Sequence, residues 1–183
     1  MRTARYAAAG FLLGVVWGVA ARAWMRLIST AQEFTWAGTL SIIVAAAVAG
    51  LALGLVAAAR ARGGSRWWRL AYLVVPVIFL GAGLPLLPGV VLGGWGLRRG
   101  LVARLVAAAA ILSGPAVLLA MSWEEIDMGL NPYPDNVFRA VIGGGALALV
   151  ATAAWGSSAA LGPWTRRRES GASRSSEPVA VTA

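Results

Sequence analysis

Two groups of charged residues could carry chemistry in this chain, and the first is a short stripe. Arg26 follows Arg22 by four residues, and Glu33 comes seven residues later. On a continuous helix, residues at these spacings share one face. Two guanidinium groups on one face repel each other unless a carboxylate or a bound anion lies between them. The stripe therefore predicts either an ion pair or an anion site.

The second group is an acidic segment, residues 123–136. It contains four carboxylates, three of which stand together as Glu124, Glu125 and Asp127. We expect these carboxylates to pair with the arginine stripe, because charges beside a membrane are usually paired. Two alternatives stay open: an anionic lipid or metabolite held by the arginines, and a Ca²⁺ site in the segment, although its spacing is not that of an EF-hand.

The side chains that the sequence lacks exclude several classes of enzyme. There is no His and no Cys, and all 16 basic residues are arginine. Imidazole bases, thiolate nucleophiles, Schiff-base lysines and His- or Cys-ligated metals are therefore excluded. The glycine-rich pieces match neither a dinucleotide nor a P-loop fingerprint. We predict that the protein is not an enzyme and holds no cofactor and no metal.

The composition places the chain in a membrane. Its 183 residues are 59% hydrophobic and 13% charged, with a mean hydropathy of +0.74. Soluble domains carry about 25% charged residues. The net charge of +9 comes from arginines that flank apolar runs, which is typical of positive-inside membrane topology. The predicted partner is thus the lipid bilayer, and nucleic acid is not expected.

Four apolar runs are long enough to cross a bilayer, which takes about 20 residues. They cover residues 6–21, extended as a helix to Trp24, and residues 36–59, 101–122 and 137–160. The first run could also be read as a cleaved signal peptide. We expect an uncleaved first span instead, because several spanning runs follow it.

The stretch 70–97 is too long for one untilted crossing and too short for two. Prolines and glycines break it near its middle, so it is either one long kinked helix or a hairpin of two short helices. A hairpin leaves thirteen arginines on the cytoplasmic side and three outside, whereas one crossing leaves seven and nine. The positive-inside rule favours the hairpin. The hairpin also sorts the tryptophans into two interfacial belts, with only Trp17 inside the hydrocarbon.

Small residues recur every four positions on three of the spans, a pattern that lets helices approach closely in lipid. We expect these stripes to form seams within the bundle, and a contact between copies or with a partner protein stays open. The stripes are Gly10, Gly14 and Gly18; Ala46, Gly50, Gly54 and Ala58; and Gly144, Ala148, Thr152 and Gly156.

The predicted fold is an all-α polytopic transmembrane bundle, with four full spans and the broken hairpin. It occupies residues 1–162. Residues 163–183 are rich in Arg, Ser and Gly, which predicts a disordered tail. Both termini are expected in the cytoplasm of a bacterium, with the bundle in its plasma membrane.

The run RAWMRLISTAQEFTWAGT, from Arg22 to Thr39, resembles a segment of small integral membrane proteins of high-GC Gram-positive bacteria. The arginine-rich, lysine-free composition fits such a genome. The resemblance covers about a tenth of the chain. It implies the membrane class and no catalytic residue, since the family has no assigned activity.

Two functions are compatible with these patterns. The leading hypothesis is a non-enzymatic structural or partner-binding bundle, because catalytic side chains are scarce and packing stripes are well formed. The alternative is a small transporter or channel subunit with an anion or lipid site near Arg22 and Arg26, because interrupted helices are tolerated where they are buried in protein or line a cavity.

Overall fold

The computed structural model of this protein describes residues 2–29, 35–79, 83–123 and 133–162. Within these residues the chain is helical and has no strand. Two 3₁₀ helices, Arg66–Leu73 and Leu84–Leu86, precede α3 and α4. The predicted all-α bundle is confirmed. The α-helices of this part of the chain are α1 (Arg2–Ile28), α2 (Trp36–Ala61), α3 (Val74–Ile78), α4 (Leu87–Gly96), α5 (Leu101–Met121) and α6 (Asp135–Leu161).

Four of these helices, α1, α2, α5 and α6, are long and apolar enough to cross a membrane. Their 21 to 27 residues correspond to about 31–40 Å at 1.5 Å per residue. Three of them, α1, α2 and α6, extend past their apolar runs, most of all α1. Arginines near a helix end allow this, because their long stems can reach the interface. The chain is therefore a multi-pass membrane protein.

Helices α1 and α2 form the tightest pair in the bundle, through the first two predicted stripes. A Cβ added to Gly50 would lie 2.8 Å from the Cα of Gly14, and one added to Gly10 would lie 2.9 Å from the Cα of Gly54. Only glycine permits backbones this close. These two stripes are thus a seam within one chain, as predicted.

The broken segment 70–97 starts and finishes at the same end of the bundle. Arg69, just before it, donates to the carbonyl of Gly162 at 2.8 Å. Arg98, just after it, donates to the hydroxyl of Ser158 at 3.0 Å. Both acceptors lie at the C-terminal end of α6, so the segment returns to the side that it leaves. The hairpin is confirmed over a single crossing. We call this the arginine-rich end and the other the opposite end.

The hairpin is a packed part of the core. Val75, Phe79 and Val90 are buried in one apolar cluster together with Val56 of α2 and Val150 of α6. Phe79 also meets the ring of a tryptophan on α1, with ring centroids 5.8 Å apart and planes at 61°, an edge-to-face arrangement that aromatic pairs favour. The two arms therefore fill space between the spans.

Glycines on α4 bring it close to both α5 and α6. A Cβ on Gly93 would lie 2.9 Å from the Cβ of Ala154, and one on Gly89 would lie 2.9 Å from the carbonyl oxygen of Ala110. The sequence reveals these glycines only as a backbone-permissive stretch. In the structure they form a second close-packed seam.

The third stripe, on α6, is arranged differently from the first two. No heavy atom lies within 4 Å of a Cβ added to Gly144, and Ala148 and Thr152 are exposed. The face of α6 that packs inward carries larger residues, including Phe138 and Val150. Periodicity is the same for a covered and an uncovered stripe, so the sequence cannot tell them apart.

Exposed tryptophans mark both ends of the bundle. Trp36 and Trp123 lie at the opposite end, and Trp67, Trp68 and Trp95 lie at the arginine-rich end. Amphipathic rings at these levels are typical of the two membrane interfaces. The predicted tail, residues 163–183, lies outside the described residues.

Candidate functional site

The predicted arginine stripe lies at the opposite end, on the last turns of α1. Arg22 and Arg26 lie on one continuous helix, but α1 ends at Ile28, before Glu33 is reached. Arg22 is half-buried and its Nε donates to Oγ1 of Thr39 at 3.0 Å, which ties α1 to the first turns of α2. Arg26 is exposed. The other predicted site residues lie outside the described residues: Glu33, Glu124, Glu125 and Asp127.

A third arginine at the opposite end is held by an aromatic ring. The guanidinium carbon of Arg139 lies 4.4 Å from the centroid of the Trp123 ring, a cation–π contact. One turn away, Phe138 and Ile142 form a small buried cluster against Ile28. The ends of α1, α5 and α6 therefore meet here.

A larger polar site lies at the arginine-rich end, where three arginines converge on α6. Nη1 of Arg60 donates to the carbonyl of Ala159 at 3.0 Å, beside the bonds that Arg69 and Arg98 make to Gly162 and Ser158. We call Arg60, Arg69 and Arg98 the arginine cluster. They come from the end of α2, the first arm of the hairpin and the loop after its second arm.

Local helix chemistry explains why these arginines meet there. The last carbonyls of a helix lack intrahelical partners and carry a partial negative charge, which attracts cations. Gly162 follows α6, and a Cβ at this position would lie 3.1 Å from Cδ of Arg98 and 3.2 Å from Nη1 of Arg60. A glycine here gives the two side chains room to approach each other over the helix end.

Two buried hydroxyl residues lie directly below the arginine cluster. Tyr72 is 5% exposed and Ser157 is fully buried. Neither residue has a described carboxylate or imidazole beside it to act as a base. Arginine keeps its proton at all physiological pH values. Guanidinium groups bind anions through their charge and their paired N–H donors, so the three arginines have the chemistry to hold an anion.

Two tryptophans of α1 connect this helix to α6. Nε1 of Trp17 donates to the carbonyl of Leu149 at 3.1 Å, and Nε1 of Trp24 donates to that of Val141 at 2.8 Å. Gly145 makes space for the Trp24 ring, because a Cβ there would overlap the indole. The seven-residue spacing of Trp17 and Trp24 places them on one face, a signal that the sequence contains.

The arginine cluster is not predicted from the sequence, where these arginines are interpreted only as positive charges that flank the spans on the cytoplasmic side. The available signal was the pair Ser157-Ser158 near the end of an apolar helix, followed by Gly162. A hydroxyl pair at that depth needs polar neighbours. Those neighbours are the arginines of the cluster, and they reach the end of α6 because the hairpin returns to that end of the bundle.

Comparison of this chain with models of known protein families, with curated proteins and with solved structures finds no match.

Proposed function

We propose that this protein is a non-enzymatic helical bundle of the bacterial plasma membrane with a structural or partner-binding role. One observation supports this most: polar side chains from four elements all hold α6. The donors are Trp17, Trp24, Arg60, Arg69 and Arg98, and each binds an oxygen on α6 or directly after it. In the described part of the chain, these polar groups join helices to one another.

The packing of the hairpin supports a structural role over transport. A broken helix in a transporter lines the substrate cavity, whereas here Val75, Phe79 and Val90 are buried in the main apolar cluster. The second arm of the hairpin, α4, also makes close glycine contacts with α5 and α6. These contacts favour a rigid bundle.

The contact with a partner, in this proposal, is made helix to helix on the open face of α6. Gly144 and Ala148 are exposed there, while the matching stripes of α1 and α2 are already packed together. Small residues four apart allow a further transmembrane helix to approach closely. We propose that this helix belongs to another membrane protein; a second copy of this chain is the alternative.

Crosslinking in the membrane tests the proposal. A photo-crosslinking amino acid at Leu147, beside the stripe, should give one stoichiometric adduct heavier than the chain. Ala148→Leu should reduce the adduct, because a large side chain blocks close approach. Ala108→Leu is the matched control, since Ala108 is an exposed alanine on α5, and it should leave the adduct unchanged.

Three outcomes separate the alternatives. An adduct of twice the mass of the chain identifies a second copy. The absence of a stoichiometric adduct contradicts the partner contact on α6. Turnover of a substrate by the purified protein contradicts a non-enzymatic role, and flux into liposomes above protein-free controls favours transport.

A further inference from the structure

We infer that the arginine cluster, Arg60, Arg69 and Arg98, binds the phosphate group of an anionic phospholipid. This site lies at the arginine-rich end, away from the stripe of Arg22 and Arg26. Basic pockets between transmembrane helices are a known mode of lipid headgroup recognition. Three properties of the cluster lead to this assignment: its charge, its accessibility and its apolar border.

The first property is the convergence of three positive charges. Arg60 is close enough to Arg69 and Arg98 for their charges to interact with it. Their hydrogen bonds to Ala159, Gly162 and Ser158 satisfy donors, but carbonyl and hydroxyl oxygens add no negative charge. A phosphate at the cluster would lower the repulsion among the arginines.

The second property is the accessibility of the cluster, above all of Arg98. Arg98 is exposed, and Arg60 and Arg69 are half-buried. Each guanidinium has five N–H donors in a planar fork, which matches the oxygens of a phosphate. Arg98 donates to Ser158 through Nε, so its two terminal nitrogens take no part in that bond. A phosphate can therefore reach the cluster without displacing that bond.

The third property distinguishes a lipid from a free phosphate. The chain neighbours of the cluster are exposed apolar residues: Trp68 and Leu70 flank Arg69 and are 43% and 55% exposed, and Leu97 precedes Arg98 and is 36% exposed. Acyl chains cover such surface favourably, whereas inorganic phosphate does not. A ligand with one anionic group and an apolar body fits this arrangement.

Thermal unfolding of delipidated protein in mild detergent tests the inference. We expect phosphatidylglycerol near saturation to raise the Tm of the full chain by about 5–10 °C. Phosphatidylcholine and inorganic phosphate should each give a much smaller rise. Arg98→Gln should remove at least roughly half of the shift with phosphatidylglycerol, since it deletes one of three phosphate ligands.

The matched control is Arg104→Gln. Arg104 is an exposed arginine at the same end of the bundle, in the first turn of α5, and it lies outside the cluster. Its variant should keep the full shift. Equal losses in the two variants would show only general attraction of anionic lipid to a basic surface, and would overturn the inference. An equal rise with inorganic phosphate would overturn the assignment to a lipid.

Two further measurements keep the test independent of one variant. Arg98→Lys retains the charge but not the planar fork, so we expect a shift between those of wild type and Arg98→Gln. Native mass spectrometry of the wild-type protein should detect one retained phosphatidylglycerol after detergent exchange. A wild-type chain that retains no anionic lipid and shows no selective shift contradicts the site.

Discussion

Substitution of Gly50 by alanine should destabilise the bundle, even though alanine is the better helix former. Gly50 lies at the centre of the seam between α1 and α2. An added Cβ would lie 2.8 Å from the Cα of Gly14 and 2.9 Å from its backbone nitrogen. These are backbone atoms, so no side-chain rotation can relieve the overlap. The two helices must move apart.

The size of the effect follows from this geometry. Carbon atoms in good contact are about 3.5–4.0 Å apart, so the seam must open by about 1 Å at this point. A gap of that size forfeits a quarter to a half of each contact energy, and overpacking typically costs about 1–3 kcal/mol. The helix propensity of alanine returns up to about 1 kcal/mol. We expect a net loss of about 1–2 kcal/mol, or a Tm lower by about 2–8 °C.

The assay is thermal unfolding in mild detergent, followed as the fraction of monodisperse protein after heating. Gly144→Ala is the matched control, because nothing lies within 4 Å of its added Cβ. Its Tm should equal or exceed that of the wild type. A Gly50→Ala protein as stable as the wild type would refute the close seam, as would equal losses in both variants.

Two further predictions concern the remaining contacts. Trp24→Phe loses the hydrogen bond to the carbonyl of Val141 at 2.8 Å, so its free energy of unfolding should fall by about 1 kcal/mol, whereas Trp67→Phe, at an exposed position, should change little in the same assay. Arg26→Gln and Glu124→Gln should each lower the Tm if the acidic segment pairs with the arginine stripe, and the double variant should lose less than the sum. Full additivity would show that the two groups do not touch and would favour an anion at the stripe.

The spans and the hairpin could be predicted because they depend on the length of the apolar runs and on the positions of the arginines, which the sequence gives directly. An uncharged run such as residues 36–59 has no stable alternative to crossing the bilayer. The count of arginines on each side then selects the hairpin for residues 70–97. Neither prediction depends on which helices are neighbours in the bundle.

The arginine cluster could not be predicted because it depends on which helices are neighbours. Arg60 and Arg98 are distant in sequence, and they meet only because the hairpin returns beside the end of α6. For the same reason, the sequence does not show which of the three small-residue stripes is covered by a neighbouring helix. Their spacing is identical, but only the partners present in the fold decide that Gly50 is covered and Gly144 is open.

The most direct test of this fold is to determine on which side of the membrane each end of the hairpin lies. The chain has no cysteine, so single cysteines can be placed at Ser65, Gly100 and Tyr133, all of them exposed, and labelled with a membrane-impermeant maleimide. We predict that Tyr133→Cys is labelled in intact cells, and that Ser65→Cys and Gly100→Cys are labelled only after the cells are permeabilised. Labelling of Gly100→Cys in intact cells, with Ser65→Cys still protected, would show that the chain crosses five times and would contradict the hairpin.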